Sequence, residues 1–317
     1  MGPDAGGAVM ATGILSIATL DVSAETLSRV LLVIAAFTWI VLGIVFVGRA
    51  GLARSRWRED ASQPAALTAV AATAVLGVRV SSLGWTWQAW VLLVLAACLC
   101  AGLLPTVLAS RSLPARGSSF LLTVAPQSLT VLGALLAARY HLAWLEIAAL
   151  VPLLAGGAAY LYVLWRFDFE ELRRGRGDHW VTGGALAITT LACSELANAA
   201  GRMPSLHGLQ SPLRTIGLVL WALTMVWLSV LLAAELQWPR WRYDVRRWAT
   251  IFPLGMYAAM SVSLGTTAGV TPMLHFGQVW AWVAFAAWGL TAIGSVTAAS
   301  PRLHARRPTG GPRRRGG

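Results

Sequence analysis

The stretch Leu27–Val47, LSRVLLVIAAFTWIVLGIVFV, decides the fold. It holds a single charge, Arg29, and is long enough to carry a helix across about 30 Å of hydrocarbon, which takes roughly 20 apolar residues. Ala89–Ser110 reads the same way. Neither run alternates with a period of two, so a closed barrel is not indicated. Helices are the remaining solution that satisfies every backbone polar group in lipid. The whole chain agrees: of 317 residues 57% are hydrophobic and 12% charged, about half the charge of an ordinary soluble domain.

Working outward from Leu27–Val47, the apolar runs and their breaks predict ten spans. They are Ala5–Leu20, Leu27–Val47, Pro64–Val78, Trp87–Ser110, Ser118–Ala138, Leu142–Trp165, Trp180–Ala199, Leu213–Leu236, Trp248–Thr267 and Phe276–Ala298. The first and third are short. Arginine supplies every basic residue, 25 in all, and the ten spans sort them. Twenty fall on one side of the membrane; Arg29, Arg79, Arg139, Arg202 and Arg214 fall on the other. The arginine-rich side is expected in the cytoplasm, which places both termini there and the chain in the cell membrane. Residues 1–300 are expected to form one transmembrane domain. Residues 301–317, rich in Arg, Pro and Gly, are expected to be a disordered cytoplasmic tail that meets anionic lipid.

Several function classes fall away. The net charge of +12 is dispersed between apolar runs, whereas a nucleic-acid site needs one basic face on a soluble domain. Cys98, Cys100 and Cys193 all lie in apolar segments and predict no disulfide framework. The five histidines lack metal-ligand spacing, so no metal, cofactor or enzymatic centre is expected. The opening residues carry no basic region of a cleavable signal peptide.

Odd-numbered spans differ from even ones. GGAVMATGILSIA, PAALTAVAATAVLG and VTGGALAITTLACSELA are rich in Gly, Ala, Ser and Thr, while LVLWALTMVWLSVLLAA is bulky. Odd spans recur about every sixty residues, which suggests five helical hairpins. Small residues allow close helix approach, and hydroxyls bond across helix interfaces. The pattern therefore fits an inner set of tightly packed helices shielded by a lipid-facing outer set. It fits equally an inner set that encloses a permeation path. In the second case Thr12, Ser16, Thr73, Ser128, Thr189 and Ser261 are candidate pore-lining hydroxyls, weak donors suited to rapid passage.

Met10–Ser16 (MATGILS), Ala125–Leu129 (APQSL), Gly184–Ala192 (GALAITTLA) and Trp248–Tyr257 (WATIFPLGMY) resemble the tellurite-resistance/C4-dicarboxylate transporter family, which includes the plant slow-type anion channels. The resemblance extends over about residues 6–299. It implies ten helices as hairpins in a quasi-fivefold arrangement, odd helices around a pore, and a homotrimer with one pore per subunit. It also implies passage of small inorganic or organic anions, and a pore plugged by a phenylalanine beside a proline on the ninth helix, here Phe252 and Pro253. A proton-coupled carrier of dicarboxylate or sulfite is the second activity the resemblance allows.

Other candidate residues follow from position. Pro126 and Pro253 each remove a helix hydrogen bond within a span and are expected to kink it. Glu195, late in span seven, is either a proton-coupling group or a structural carboxylate paired with Arg202 or Arg214. Arg79, Arg139, Arg202 and Arg214 either form an anion-attracting outer vestibule or snorkel to headgroups.

Overall fold

The computed structural model describes residues 6–110, 113–239 and 244–304, with side chains to residue 298. It is all α. The helices are α1 (Gly6–Asp21), α2 (Glu25–Leu52), α3 (Arg54–Ala61), α4 (Thr68–Ser82), α5 (Thr86–Leu108), α6 (Leu121–Tyr140), α7 (Ala143–Arg166), α8 (Glu171–Arg174), α9 (Val181–Gly201), α10 (Gln210–Gln237), α11 (Trp248–Ala268) and α12 (Thr271–His304). Among the described residues nine helices are long and apolar enough to cross a membrane. The first of the ten expected spans, α1, is not among the nine: it has 16 residues and a length of about 24 Å, short of the hydrocarbon width. The third expected span is longer than its apolar run, because a 3-10 turn at Pro64–Leu67 leads into α4 and the two together run from Pro64 to Ser82. The expected tail lies outside the described residues beyond His304, and α12 continues through Pro301 to that point.

Burial divides the helices into two classes. The apolar windows of the segments holding α4, α6, α9 and α11 are 78–94% buried, and eleven of the 16 residues of α1 are buried. The windows of α2, α5, α7, α10 and α12 are only 11–28% buried. Their exposed faces carry Phe37, Ile44, Trp87, Leu154, Val226 and Ile293. In water that much apolar surface would drive aggregation; in lipid it is the matched solvent. The expected division into buried small-residue helices and exposed bulky ones is what the burial shows.

Each buried helix packs most extensively with the exposed helix that follows it: α1 with α2, α4 with α5, α6 with α7, α9 with α10 and α11 with α12. The buried helices also touch one another in sequence, α1 with α4, α4 with α6, α6 with α9, α9 with α11 and α11 with α1. Glycine permits this proximity. A Cβ on Gly13 of α1 would lie 2.8 Å from Val75 of α4, and one on Gly184 of α9 would lie 2.7 Å from Pro253 of α11.

Three seams carry the same clasp. Trp39 of α2 donates its indole N–H to Thr73 of α4 (2.9 Å), Trp221 of α10 to Ser261 of α11 (2.9 Å), and Trp288 of α12 to Thr12 of α1 (3.0 Å). Each joins an exposed helix to the buried helix of the next hairpin, with α12 returning to α1. Trp39→Phe keeps the ring packing and removes the donor. It is expected to lower unfolding stability in detergent by about 1 kcal/mol, the usual net worth of such a bond, measured by denaturant titration beside wild type.

Candidate functional site

The five buried helices run in one direction, so their N-termini gather at one end and their C-termini at the other. A cavity of about 400 Å3 opens at the N-terminal end. Every buried helix contributes to it: Gly7 and Met10 from α1, Thr68 from α4, Leu121 from α6, Val181 from α9, and Ala249 and Phe252 from α11. Four of these helices begin with a 3-10 turn, at Pro64–Leu67, Gly117–Phe120, Asp178–Trp180 and Val245–Arg247. No side-chain oxygen caps the 3-10 turns that lead into α4, α6 and α9, whereas Asp244 accepts from the Arg246 N–H at the start of the turn that leads into α11. The N-terminus of a helix carries about half a positive charge and free N–H groups, so the ends make this mouth electropositive. Arg116 and Arg246 line it too, against one carboxylate, Asp178. Arg116 reaches Glu171 only at 3.9 Å. Burial, with help from Asp178, holds the Glu171 carboxyl above its ordinary range despite the opposing pull of Arg116.

A second cavity, of about 450 Å3, occupies the C-terminal end and is also lined by all five helices. Ile14, Val75, Ile188 and Met256 are among its apolar residues. Met10 and Ile14 are one helical turn apart, as are Phe252 and Met256, and each pair has one member in each cavity. On α6 and α9 the lining residues lie about two turns apart, Leu121 to Ser128 and Val181 to Ile188, so the layer between the cavities is one to two turns, ~5–11 Å, thick. Phe252 lies in this layer, 1% exposed.

The polar lining of the second cavity is mixed. Glu195 accepts a hydrogen bond from Ser263 (2.7 Å), and Ser263 pairs with Ser194 (2.8 Å), which also reaches Thr267 (3.2 Å). Asp21, at the C-terminus of α1, faces the same space. Of the four candidate vestibule arginines, Arg79 and Arg202 line this cavity, while Arg202 and Arg139 line a smaller hollow beside it with Glu195. Arg214 lines neither. Arg202 leans on Asn198 (3.4 Å), and Arg139 donates to the Ser81 carbonyl (2.7 Å). Arg79 does not snorkel. Its side chain is 1% exposed and donates to Ser28 (2.9 Å), Ser82 (2.7 Å) and Glu25 (3.3 Å).

Of the six candidate hydroxyls only Ser128 lines either central cavity. Thr12, Thr73 and Ser261 face outward to the tryptophan clasps, and Ser16 bonds to Ser28 of α2 (2.7 Å). Thr189 lines an apolar groove between α7 and α10. Pro126 and Pro253 are buried within continuous helices, and Pro253 forms the floor against which Gly184 packs. The sequence reading did not select Asp21, Arg116 or Arg246 as site residues, because each lies at a helix end or in a loop and acquires its place only when distant segments converge.

Among the described residues no group of three or more His, Cys, Asp or Glu side chains could hold a metal ion. The three cysteines are free. Comparison with known proteins finds two similar chains from Mycobacterium tuberculosis: the uncharacterized membrane protein MT1776 of strain CDC 1551 / Oshkosh and the uncharacterized membrane protein Rv1735c of strain ATCC 25618 / H37Rv. Each is 32% identical over 119 residues, which is 36% of this chain and 59% of the relative. The match therefore spans less than two thirds of those relatives. The family model described as SLAC1, voltage-dependent anion channel, matches residues 1–296. A multi-pass bundle of apolar helices, and a family match over nearly its whole length, make this chain a member of the SLAC1 family of voltage-dependent anion channels.

Proposed function

We propose that the chain is a channel-like permeation pathway for small anions, occluded at rest by Phe252. In this reading α1 makes the tenth crossing. The cycle of contacts among α1, α4, α6, α9 and α11 is a quasi-fivefold inner ring around the path, and the exposed helices form the outer ring. The observation that carries the reading is the pair of cavities, each lined by all five buried helices and separated by one apolar layer. The arginine count puts the electropositive N-terminal mouth in the cytoplasm, with both chain termini, and the protein in the cell membrane. The homotrimer rests on the family resemblance.

The test is anion flux into liposomes containing purified protein, with and without an imposed pH gradient. Flux independent of the gradient supports the channel. A second reading, a proton-coupled carrier of dicarboxylate or sulfite, draws on Glu195 and its chain of Ser263, Ser194 and Thr267. Flux that requires the gradient would establish it instead. In the channel reading the double variant Arg116→Gln, Arg246→Gln removes two guanidinium charges from the cytoplasmic mouth. It is expected to reduce chloride flux about three- to tenfold at low ionic strength, with the deficit shrinking as salt screens the field. An equal deficit at all salt concentrations would remove electrostatic attraction from the account.

A further inference from the structure

We propose that the groove between α2 and α5 seats one acyl chain of an anionic phospholipid, whose phosphate is held by the arginines of α3. The groove, of about 340 Å3, is walled by Leu42 and Phe46 of α2 and Leu95 and Leu99 of α5, over a floor of small residues from α4, Ala69 and Ala72. It runs along α2 from Trp39 to Arg49. Ten helical residues rise ~15 Å, and one leaflet supplies half of roughly 30 Å of hydrocarbon. The groove is as long as one leaflet is thick. Its first end carries the clasp of Trp39 on Thr73 (2.9 Å). A neighbouring copy's helix, about 10–12 Å across, would fill over ~1,000 Å3 on that length. A whole helix cannot enter; a single hydrocarbon chain can. At Gly43, on the exposed α2 wall, an added Cβ would meet nothing within 4 Å.

The other end of the groove is ionic. Arg49 and Asp60 line it and pair at 2.9 Å, which ties α3 back to α2. The helix α3 has two faces. Trp57 lines the groove and packs on Phe46, with ring centroids 5.6 Å apart, and Ala61, one turn on, is buried. Arg54, Arg56 and Arg58 are exposed, and among the described residues none of them forms an ion pair. Over residues 49–60 four arginines meet two carboxylates, Glu59 and Asp60, a balance of +2. Arg49 already holds Asp60, so three guanidinium groups stand against Glu59 alone. Such arginines at the membrane surface attract anionic lipid, and a guanidinium forks onto phosphate oxygens. A zwitterionic headgroup offers the same phosphate but brings its own cation to a site that is already positive, so the anionic lipid is favoured.

The experiment equilibrates the full chain, purified in detergent, with micelles holding dioleoylphosphatidylglycerol and dioleoylphosphatidylcholine in equal amounts. A wash in high salt screens loosely attracted headgroups, and native mass spectrometry then counts the lipids retained. Wild type is expected to keep phosphatidylglycerol in preference to phosphatidylcholine. Gly43→Phe fills the groove without a clash and should displace both lipids. Replacing Arg54, Arg56 and Arg58 together by Gln should lower retained phosphatidylglycerol at least about tenfold, from up to about fivefold for each arginine, and leave phosphatidylcholine unchanged. All four positions are exposed, so both variants should unfold at the wild-type temperature. Phosphatidylglycerol retained in full by Gly43→Phe overturns the proposal, since loss in the arginine variant alone would report a basic surface with no acyl seat. Equal retention of the two lipids by wild type overturns the anionic headgroup. No lipid retained by wild type overturns the site, and a changed oligomeric state of Gly43→Phe would then assign the groove to a second copy of the chain.

Discussion

Phe252→Ala is expected to raise basal chloride flux at least about tenfold over wild type in the same liposomes. Phe252 is 1% exposed and lines the N-terminal cavity, while Met256, one turn on, lines the C-terminal one. An anion crossing between them must leave water for a layer with no charged group. Transfer of an unpaired ion into apolar surroundings is prohibitive unless hydration follows it. Removing the phenyl ring takes away the bulk and lets water bridge the layer. A tenfold rise requires the barrier to fall by only about 1.4 kcal/mol, far less than dehydration of an ion costs. The opposing effect is on stability. A buried Phe→Ala change typically costs about 3–5 kcal/mol where the void stays empty, and less where water enters it. Thermal unfolding must therefore accompany the flux, and Phe252→Leu, which keeps apolar bulk, should fall between wild type and Phe252→Ala. Unchanged flux from folded Phe252→Ala protein would remove the occlusion from the account of function.

How far this site could be read from sequence depends on what decides each feature. Spans such as Leu27–Val47 are visible because lipid imposes length and apolarity on consecutive residues. The buried class is visible because small residues must accumulate wherever helices meet on every side, as on α9, whose segment is 94% buried against 11% for that of α12. That same all-round burial hides orientation. A helix enclosed on all sides carries no amphipathic stripe, so nothing local distinguishes Thr73, which accepts from Trp39, from Val75, two residues on, which lines the central cavity. Composition nominated the hydroxyls, and packing turned most of them away from the cavities. Glu146 shows the same limit: it is fully buried in the first turn of α7, yet the sequence reading singled out only Glu195 among carboxylates. The electropositive mouth is less legible still, since it arises from five helix starts far apart in the chain.

Arg79→Met should be strongly destabilising, by about 3–5 kcal/mol, because it removes the charged hydrogen bonds to Ser28 and Ser82 from a buried site. Arg79 is the largest fully buried side chain among the described residues. Sequence position suggested a headgroup or vestibule arginine; the structure makes it the node of three helices. From α4 its Nε reaches Ser28 of α2, its Nη1 reaches Ser82, and its Nη2 reaches Glu25 of α2. Ser28 in turn donates to the Ser16 carbonyl of α1. Met fills most of the volume, so the loss would report the hydrogen bonds and charge, not a cavity. Glu25 would still hold Arg29 at 2.7 Å, which makes the lost guanidinium bonds, each about 1.5–3 kcal/mol as charged hydrogen bonds, the main component. Arg79→Lys separates structure from function. An ammonium is a point charge that cannot reproduce a planar fork with partners on three sides, so a structural node predicts a substantial fall in unfolding temperature for Lys as well. If the lysine variant instead unfolds like wild type and only its anion flux changes, Arg79 acts on the passing anion through its charge, and the seam between α1, α2 and α4 is held by their packing alone.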